Sequence, residues 1–251
     1  MKILLNDGKK EIAKAMKVTA LLTGRGNNTL KDKNILDVLG HPVMYYPAHA
    51  GKKAACFDNY YCSSDDEKIL QFAEKEGYTR IVRPAYLGTA TAQHVDVIKH
   101  AVEMIPDEEL GDILVVILAN NVTIKAAWLE DCVKMMQEDM RLTAVVPVYK
   151  DNDHHPLRGK RAENGRLQMF EANVDGKVST NRQDLTPCYF LSHNFWVLNT
   201  QKMRESNYKG QPPWEFMGNN IGYFEIEESI DIHKKVDLLL AAEWIKEHYT
   251  D

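Results

Sequence analysis

The chain has 251 residues, of which 44% are hydrophobic, and its formal net charge at pH 7 is -5. A chain of this size can bury a core without disulfides, and its acidic balance offers no broad basic field for a phosphate polymer, so nucleic acid is not an expected partner. The four cysteines are scattered and lack CxxC spacing, which favours reduced thiols in a cytoplasmic protein. No apolar run approaches the roughly 20 residues of a membrane helix, and no signal peptide is recognisable, so no membrane association is expected.

Short buried strands alternate with amphipathic helices along the chain. Apolar and β-branched runs predict strands at residues 18–23, 59–63, 113–118 and 143–149, and a further strand at 189–198. Helical periodicity predicts helices at residues 67–77, 91–104, 125–139 and 236–247. This alternation is typical of an α/β fold with a mainly parallel sheet and helices on both faces.

Three regions are predicted from composition. Residues 18–251 are expected to form a single domain, and residues 1–17 precede it as an N-terminal extension with apolar side chains able to pack on the main body. Residues 151–186 are polar and charged, but scattered apolar side chains and the turn signals Asn-Gly and Asp-Gly interrupt them. That pattern predicts a hairpin lobe or dimerisation arm, which we call the arm.

The loop that follows the first strand gathers phosphate-binding side chains. Arg25, Asn28, Lys33 and Asn34 lie there among small residues, in the run GRGNNTLKDKN. Fixed cations, amide side chains and backbone amides at the end of a buried strand can meet the oxygens of a triphosphate. The loop matches neither GxGxxG nor GxxxxGK[ST], so a solvated surface loop is the alternative interpretation.

Two polar motifs lie in the arm. His154 and His155 are adjacent imidazoles that could bind a metal or polarise a phosphate or carboxylate, and we assign them to substrate binding, although a solvated turn is the simpler interpretation and the favoured one against a metal. Arg182 and Gln183 precede the predicted strand at 189–198 and suit an anionic group, with a surface ion pair as the alternative.

A third motif, SIDIH, lies near the C-terminus. Asp231 and His233 alternate with isoleucine, so both are expected on one face of a strand end. A carboxylate beside an imidazole suits a divalent cation, whereas the alternative is an aspartate that caps the following helix.

The order of these segments resembles the acylneuraminate cytidylyltransferase family from about residue 18 to residue 247. The resemblance implies a Rossmann-like sheet, a homodimer formed through an arm, and Mg²⁺-dependent transfer of CMP from CTP to an acidic nonulosonic sugar with release of pyrophosphate. The segments that carry it are VTALLTGRGNNTLKDKNI, LGHPV, CFDNYYCSSDDEKILQFAEKEG, RPAYLGTATAQHVDVIKHAV, VPVYKDNDHHPLRG, NRQDLTP and SIDIHKKVDLLLAAEW.

Residues that match the family's nucleotide site follow from this resemblance. Arg25, Asn28, Lys33 and Asn34 match its CTP-binding loop, and Arg83 in RPAYL matches another residue on the nucleotide side. Attack on the α-phosphate concentrates negative charge, which fixed cations must offset. Arg25 and Lys33 are therefore assigned catalytic roles as well as CTP binding.

The acceptor and metal sites are also implied by the resemblance. Arg182 and Gln183 match the family's Arg-Gln pair near the sugar, and Asp231 matches its first magnesium aspartate. Asp231 is accordingly predicted to be catalytic and to hold Mg²⁺ with help from His233. No residue is identified as a general base.

Several positions depart from the family's pattern. ANNVTIK, residues 119–125, replaces a Gln-Pro-Thr-Ser-Pro-Leu-Arg run, and Ala90 and His233 replace two aspartates, while the loop between Arg25 and Asn34 is one residue shorter. Two alternatives follow: cytidylyl transfer to another acid, phosphate or phosphonate, or a nucleotide-binding homologue without turnover. A Rossmann dehydrogenase is disfavoured because no GxGxxG follows the first strand.

Overall fold

A central sheet organises the computed structural model, which describes residues 16–26, 28–171 and 178–249. The strands are β1 (Val18–Thr23), β2 (Asp37–Val38), β3 (His41–Pro42), β4 (Asn59–Ser64), β5 (Thr79–Val82), β6 (Ile113–Leu118), β7 (Ala144–Lys150), β8 (Lys160–Glu163), β9 (Arg166–Met169), β10 (Tyr189–Leu191), β11 (Phe195–Asn199) and β12 (Ile221–Glu225). The helices are α1 (Tyr45–Lys53), α2 (Glu67–Lys75), α3 (His94–Met104), α4 (Asp107–Leu110), α5 (Ala126–Glu138), α6 (Thr200–Glu205) and α7 (Lys235–His248).

The sheet is mainly parallel. Its order is β10-β7-β11-β6-β1-β4-β5, with β12 also paired to β7. β1 runs parallel to β4 and β6, β4 to β5, and β7 to β12, whereas β10 and β11 are antiparallel to their neighbours. The predicted α/β class with a Rossmann-like, mainly parallel sheet is confirmed.

Helices cover both faces of the sheet, because alternate residues of the central strands point to opposite sides. Leu22 and Ile117 pack in one cluster with α1, α2 and α5. Leu21 and Val116 pack in a second cluster with α3. All six residues of β6 are buried, and each large apolar side chain contributes about 1.5–3 kcal/mol by leaving water.

The helix that follows β4 shows how the sequence sets an element's ends. Its N-cap is Asp66, whose side chain accepts hydrogen bonds from the backbone N–H groups of Lys68 and Ile69. The preceding Ser64 hydroxyl accepts from Asp66 N at 3.0 Å. Gly77, with φ of +80°, follows the end of the helix, where glycine is common because it adopts positive φ readily.

Most predicted elements are confirmed with shifts of a few residues at their ends. The third helix begins at residue 94 rather than 91, because residues 89–93 form an irregular connection. The predicted strand at 189–198 is two strands, β10 and β11, separated by residues 192–194. No helix in the described part of the chain is both long and apolar enough to cross a membrane.

The arm contains the predicted hairpin. β8 and β9 pair in antiparallel register around Asn164 and Gly165, whose φ angles are +51° and +73°. Two consecutive residues with positive φ are what a two-residue hairpin turn requires. The Asp-Gly signal at residues 175–176 and the extension before residue 16 lie outside the described residues.

Candidate active site

A cavity of about 280 Å³ lies at the carboxyl ends of β1, β5 and β6. Open α/β sheets bind ligands at this edge, where loops leave the ends of parallel strands. The loop after β1, the connection before α3 and residues 231–233 complete its wall. Arg25, Lys33 and Arg83 make the lining cationic.

The loop after β1 is held together by hydrogen bonds of its own. Arg25 Nε donates to Asn28 Oδ1 at 3.0 Å, and the Asn28 and Asn34 amides both donate to Arg25 O, at 2.6 and 2.9 Å. Arg25 Nη1 reaches across to Thr89 O at 2.7 Å. The loop therefore presents Arg25 at a fixed place, as phosphate binding needs. Residue 27 lies outside the described residues.

Lys33 and Asn34 follow in a short 3-10 turn at Lys33–Ile35. Lys33 Nζ donates to Ile232 O at 3.0 Å, and burial lowers the pKa of this ammonium while Asp231 opposes that shift. Asn34 is buried, and its Oδ1 accepts no hydrogen bond within the described structure. A buried acceptor without a donor is costly, so a ligand that donates to Asn34 would be stabilised.

Arg83, directly after β5, is a buried cation whose guanidinium is fixed to the ends of two other strands, β1 and β4. Its Nη2 donates to Thr23 Oγ1 at 2.7 Å and to Ser63 O at 2.8 Å, and its Nε donates to Ser63 Oγ at 3.3 Å. Burial lowers the pKa of the guanidinium to about 10, with Asp65 opposing the shift. Arg83 is therefore still charged at neutral pH and rigidly held in the cavity wall.

Asp231 is the only carboxylate among the described residues that line the cavity. One carboxylate oxygen accepts from the Asn120 amide, and the other lies 2.9 Å from His233 Nε2. Burial raises the pKa of Asp231, and the nearby charges of His233 and Lys33 counteract that rise. Asp231 forms an isolated bridge to Asn121 rather than part of a regular strand.

The helix after this segment is capped by a different acid. Asp237 accepts hydrogen bonds from the backbone N–H groups of His233 and Lys234, each at 2.7 Å. Asp231 therefore does not cap this helix, and it lines the cavity. The alternative interpretation of Asp231 as a helix cap is wrong.

The donor set around Asp231 fits a phosphate-bound cation better than a closed metal centre. The described residues contain no group of three or more His, Cys, Asp or Glu side chains placed to hold a metal. Mg²⁺ is commonly bound by one or two carboxylates, with substrate phosphates and water as further ligands. A single carboxylate in a cavity lined by three cations is compatible with that requirement.

The predicted acceptor residues lie in the arm, away from this cavity. Arg182 and Gln183 line a separate cavity of about 340 Å³ with residues 150–153. The Arg182 guanidinium forms an ion pair with Asp153, which also pairs with Arg158 at 3.2 Å. A contact between Arg182 or Gln183 and an acceptor stays a prediction.

The two adjacent histidines of the arm have local partners. His154 Nδ1 lies 2.5 Å from Asp151 Oδ2, on an exposed turn. His155 Nδ1 accepts from Leu157 N at 3.2 Å and so begins a short 3-10 turn at Pro156–Arg158. Neither lines the first cavity, and their assignment to substrate binding stays a prediction.

The cavity also contains residues that the sequence did not single out. His94 is open to the cavity, with its ring 5.2 Å from the Trp196 ring, and His193 packs edge-on against Trp196 and Trp214. Surrounding protein lowers the pKa of both imidazoles, so they are neutral at neutral pH. Asn120, two residues after the end of β6, is the third such residue. None of the three is predicted as a site residue from the sequence, because the fold brings them together from separate segments.

A Rossmann-like sheet with a cationic cavity and one carboxylate at the ends of its strands is typical of α/β proteins that bind nucleotides. A protein-family model described as "Cytidylyltransferase" matches residues 25–166, more than half of the chain. The chain belongs to the cytidylyltransferase family.

Curated relatives share modest identity with the chain. An N-acylneuraminate cytidylyltransferase from Escherichia coli is 23% identical over 228 residues, covering 90% of this chain but 51% of that protein. A pseudaminic acid cytidylyltransferase from Campylobacter jejuni is 24% identical over 205 residues, covering 78% of this chain and 84% of that protein. The chain thus spans about half the length of the first relative and most of the second.

Solved structures share the fold at lower identity. A CMP:2-keto-3-deoxy-manno-octonic acid synthetase complexed with CTP superposes with a TM-score of 0.68 at 13% identity, covering 93% of this chain and all of that one (100%). A 4-diphosphocytidyl-2C-methyl-D-erythritol synthase from Anaerococcus prevotii has a TM-score of 0.64 at 11% identity, covering 92% and 96% of the two chains. At such identities the likeness concerns the fold alone.

Proposed function

We propose that this protein is a cytoplasmic cytidylyltransferase that joins CTP to an acidic nonulosonic sugar, giving a CMP-sugar and pyrophosphate. The observation that carries the proposal is the cavity at the strand ends, where three fixed cations face one carboxylate. Membership of the cytidylyltransferase family and the named activities of the two curated relatives support the choice of nucleotide and of acceptor class.

The loop after β1 is proposed to hold the triphosphate of CTP. Arg25 and Lys33 supply positive charge, while the amides of Asn28 and Asn34 brace the loop and can also meet the nucleotide. Arg83 stands on the nucleotide side, where hydrogen bonds to Thr23 of β1 and Ser63 of β4 hold its buried guanidinium in place. Because these side chains are already fixed, little reorganisation is needed when CTP binds.

The proposed reaction is displacement at the α-phosphorus. The acceptor hydroxyl oxygen bonds to that phosphorus, the bond to the bridging oxygen of the β-phosphate breaks, and pyrophosphate leaves while the hydroxyl proton passes to solvent or a nearby base. Arg25 and Lys33 offset the charge that grows on the phosphate oxygens. Asp231, assisted by His233, would hold Mg²⁺, which when bound supplies further charge stabilisation at the phosphates.

Acceptor recognition is assigned to the arm. Donors suited to a sugar carboxylate are offered by Arg182, Gln183, His154 and His155. Within one chain, however, these residues lie around or beside the separate cavity of the arm, not the cavity that contains Asp231. We therefore propose a homodimer in which the arm of one protomer reaches the site of its partner. The hairpin of the arm carries exposed apolar side chains, including Leu167, which is 73% exposed.

A second candidate keeps the nucleotide but changes the acceptor to a phosphate or phosphonate. The cavity lining favours it, because Ala90 and His233 add no carboxylate and three cations therefore face one carboxylate only. A more anionic acceptor suits that balance of charge. A nucleotide-binding homologue without turnover is the remaining alternative, based on the same missing acids.

The test is pyrophosphate release by the purified full chain with CTP, Mg²⁺ and single acceptors. The panel holds N-acetylneuraminate, legionaminate, pseudaminate, Kdo, and simple phosphates and phosphonates. Release with a nonulosonic acid is the expected result, and release with phosphates or phosphonates alone would establish the second candidate. CTP binding without release across the panel would contradict turnover, and replacement of CTP by UTP, ATP or GTP tests nucleotide choice.

A further inference from the structure

A buried polar network joins residues 120–123 to residues 229–232, far apart in the chain. The first segment lies in the run that departs from the family's pattern, and the second contains Asp231. Three hydrogen bonds of ordinary length connect the two segments, so they form one rigid unit. The bonds are Ile232 N to Asn120 O at 3.0 Å, Asn121 Nδ2 to Ser229 Oγ at 3.0 Å, and Ile230 N to Thr123 Oγ1 at 3.0 Å.

The connection between β10 and β11 anchors this unit. Asn194 Nδ2 donates to Thr123 O at 2.9 Å, and Ser192 Oγ lies 2.8 Å from Ser229 Oγ. Ser192, Asn194 and Thr123 are fully buried. A buried network whose members are hydrogen bonded is stiff, because each broken bond would leave a polar group without water.

Asn120 is the member of the network that reaches the cavity. Its backbone belongs to the rigid unit, while its side-chain amide donates to one oxygen of the Asp231 carboxylate. On the solvent-exposed side, His233 Nε2 lies 2.9 Å from the other oxygen of the Asp231 carboxylate. The two donors fix the plane of the carboxylate, and each oxygen keeps a lone pair directed away from them.

We propose that Asn120 is a positioning residue that sets the orientation of the Asp231 carboxylate for a divalent cation bound with CTP. The inference rests on the proposed function, because it assumes that Asp231 holds the cation. The support for this proposal is geometric. The hydrogen-bonded unit holds the Asn120 amide against Asp231, which is the only carboxylate among the described residues that line the cavity. Donors to ligating carboxylates commonly change metal affinity by about 10- to 100-fold when removed.

The test measures cation binding rather than turnover. Asn120→Leu keeps the approximate shape of the side chain without its donor. Binding of Mn²⁺ to the protein–CTP complex is followed by electron paramagnetic resonance, and CTP binding is measured separately in EDTA. We expect Mn²⁺ affinity to fall about 10-fold or more, with cation-free CTP affinity and thermal midpoint close to wild type. Asn219→Leu, at an exposed position outside the cavity, is the matched control.

Removal of the amide, rather than its conversion to a carboxylate, is the informative change, because an aspartate at position 120 would add a second carboxylate that can bind Mn²⁺ itself. If Asn120→Leu folds poorly, Asn120→Ala, which leaves the backbone bond to Ile232 in place, gives the same comparison.

Asp231→Asn distinguishes failure of this inference from failure of the proposed function. Loss of Mn²⁺ binding in Asp231→Asn together with loss in Asn120→Leu supports both. Loss in Asp231→Asn with unchanged binding in Asn120→Leu overturns the positioning role alone. Unchanged binding in Asp231→Asn overturns the metal role of Asp231, and with it the inference.

Discussion

The cavity and the arm use the same types of side chain in opposite ways. In the cavity, cations are tied to strand ends and to distant segments, as Arg83 is to Thr23 and Lys33 is to Ile232. In the arm, Arg158 and Arg182 share one carboxylate, Asp153, and all three side chains are solvent-accessible. Exposed ion pairs are weak and rearrange cheaply. The comparison teaches that the fold fixes the cations of the cavity in place, whereas the charged side chains of the arm remain able to rearrange.

The largest expected difference between the sheet and the arm is in the free energy of unfolding that their side chains contribute. Ile117→Ala, in the centre of β6, should lower the free energy of unfolding by about 2–5 kcal/mol, because it removes fully buried methyl groups and leaves a cavity. Leu167→Ala, on the hairpin of the arm, should change it by less than about 0.5 kcal/mol at a protein concentration where the chain is monomeric. Urea unfolding followed by circular dichroism measures both. Equal losses would mean that the arm is as tightly packed as the sheet.

Catalysis should show the next largest contrast. Lys33→Met should reduce the rate of pyrophosphate release by about 100- to 1,000-fold, since it removes a preorganised charge at the triphosphate. Lys160→Met, on the exposed strand β8, is the control and should stay within about twofold of wild type. Similar losses in the two variants would contradict the separation of nucleotide site and arm.

Acceptor binding tests the assignment made to the arm. Arg182→Ala should raise the KM for the acceptor about 10-fold or more, because a hydrogen bond to a charged group contributes about 1.5–3 kcal/mol. The KM for CTP should stay unchanged. Arg161→Ala, which removes another guanidinium of the same arm, is the matched control. An equal rise in both KM values for Arg182→Ala would argue against an acceptor-specific role.

The free energy of unfolding should fall gradually as the pH becomes alkaline. Burial raises the pKa values of Tyr46, Tyr61 and Cys62 to about 12. An unfolded chain loses these protons near their ordinary pKa values of about 8.5 to 10, so stability is complete below that range and falls as pH rises toward 12. Urea unfolding at pH 8, 10 and 11 measures the decline.

Tyr46→Phe tests the cause of that decline. The variant cannot ionise at position 46, and it should show a smaller loss of stability between pH 10 and 11 than wild type does. It also loses the hydrogen bond from Tyr46 to Val38 O, so its stability at pH 8 serves as the reference for each comparison. An identical pH slope in the two proteins would contradict the assignment to Tyr46.

The elements that sequence predicted well are those buried on both sides. β6, with the run ILVVIL, is apolar at every position and was placed at the observed residues. β5 and β12 were not predicted, because they carry mixed, partly exposed residues and gain their structure from pairing with a neighbour. Local periodicity contains no information about such pairing.

The same distinction applies to the candidate site. Arg25, Lys33 and Asn34 follow a recognisable strand, so their place at its carboxyl end could be read locally, and Asp231 was found through its resemblance to a family motif. Asn120 and His193 belong to segments that meet only when β6 pairs with β11. Their contribution therefore depends on long-range topology rather than on any local pattern.

Hydrogen bonds connect residues 120–123 to residues 229–232, so the sequences of the two segments depend on each other. Replacing the first segment alone would break the hydrogen bonds that Ser229 and the backbone N–H of Ile230 make with it, at about 0.5–1.5 kcal/mol for each bond. The two segments, more than a hundred positions apart in sequence, thus form one structural unit. A chimeric protein designed to change the choice of acceptor should therefore exchange both segments together.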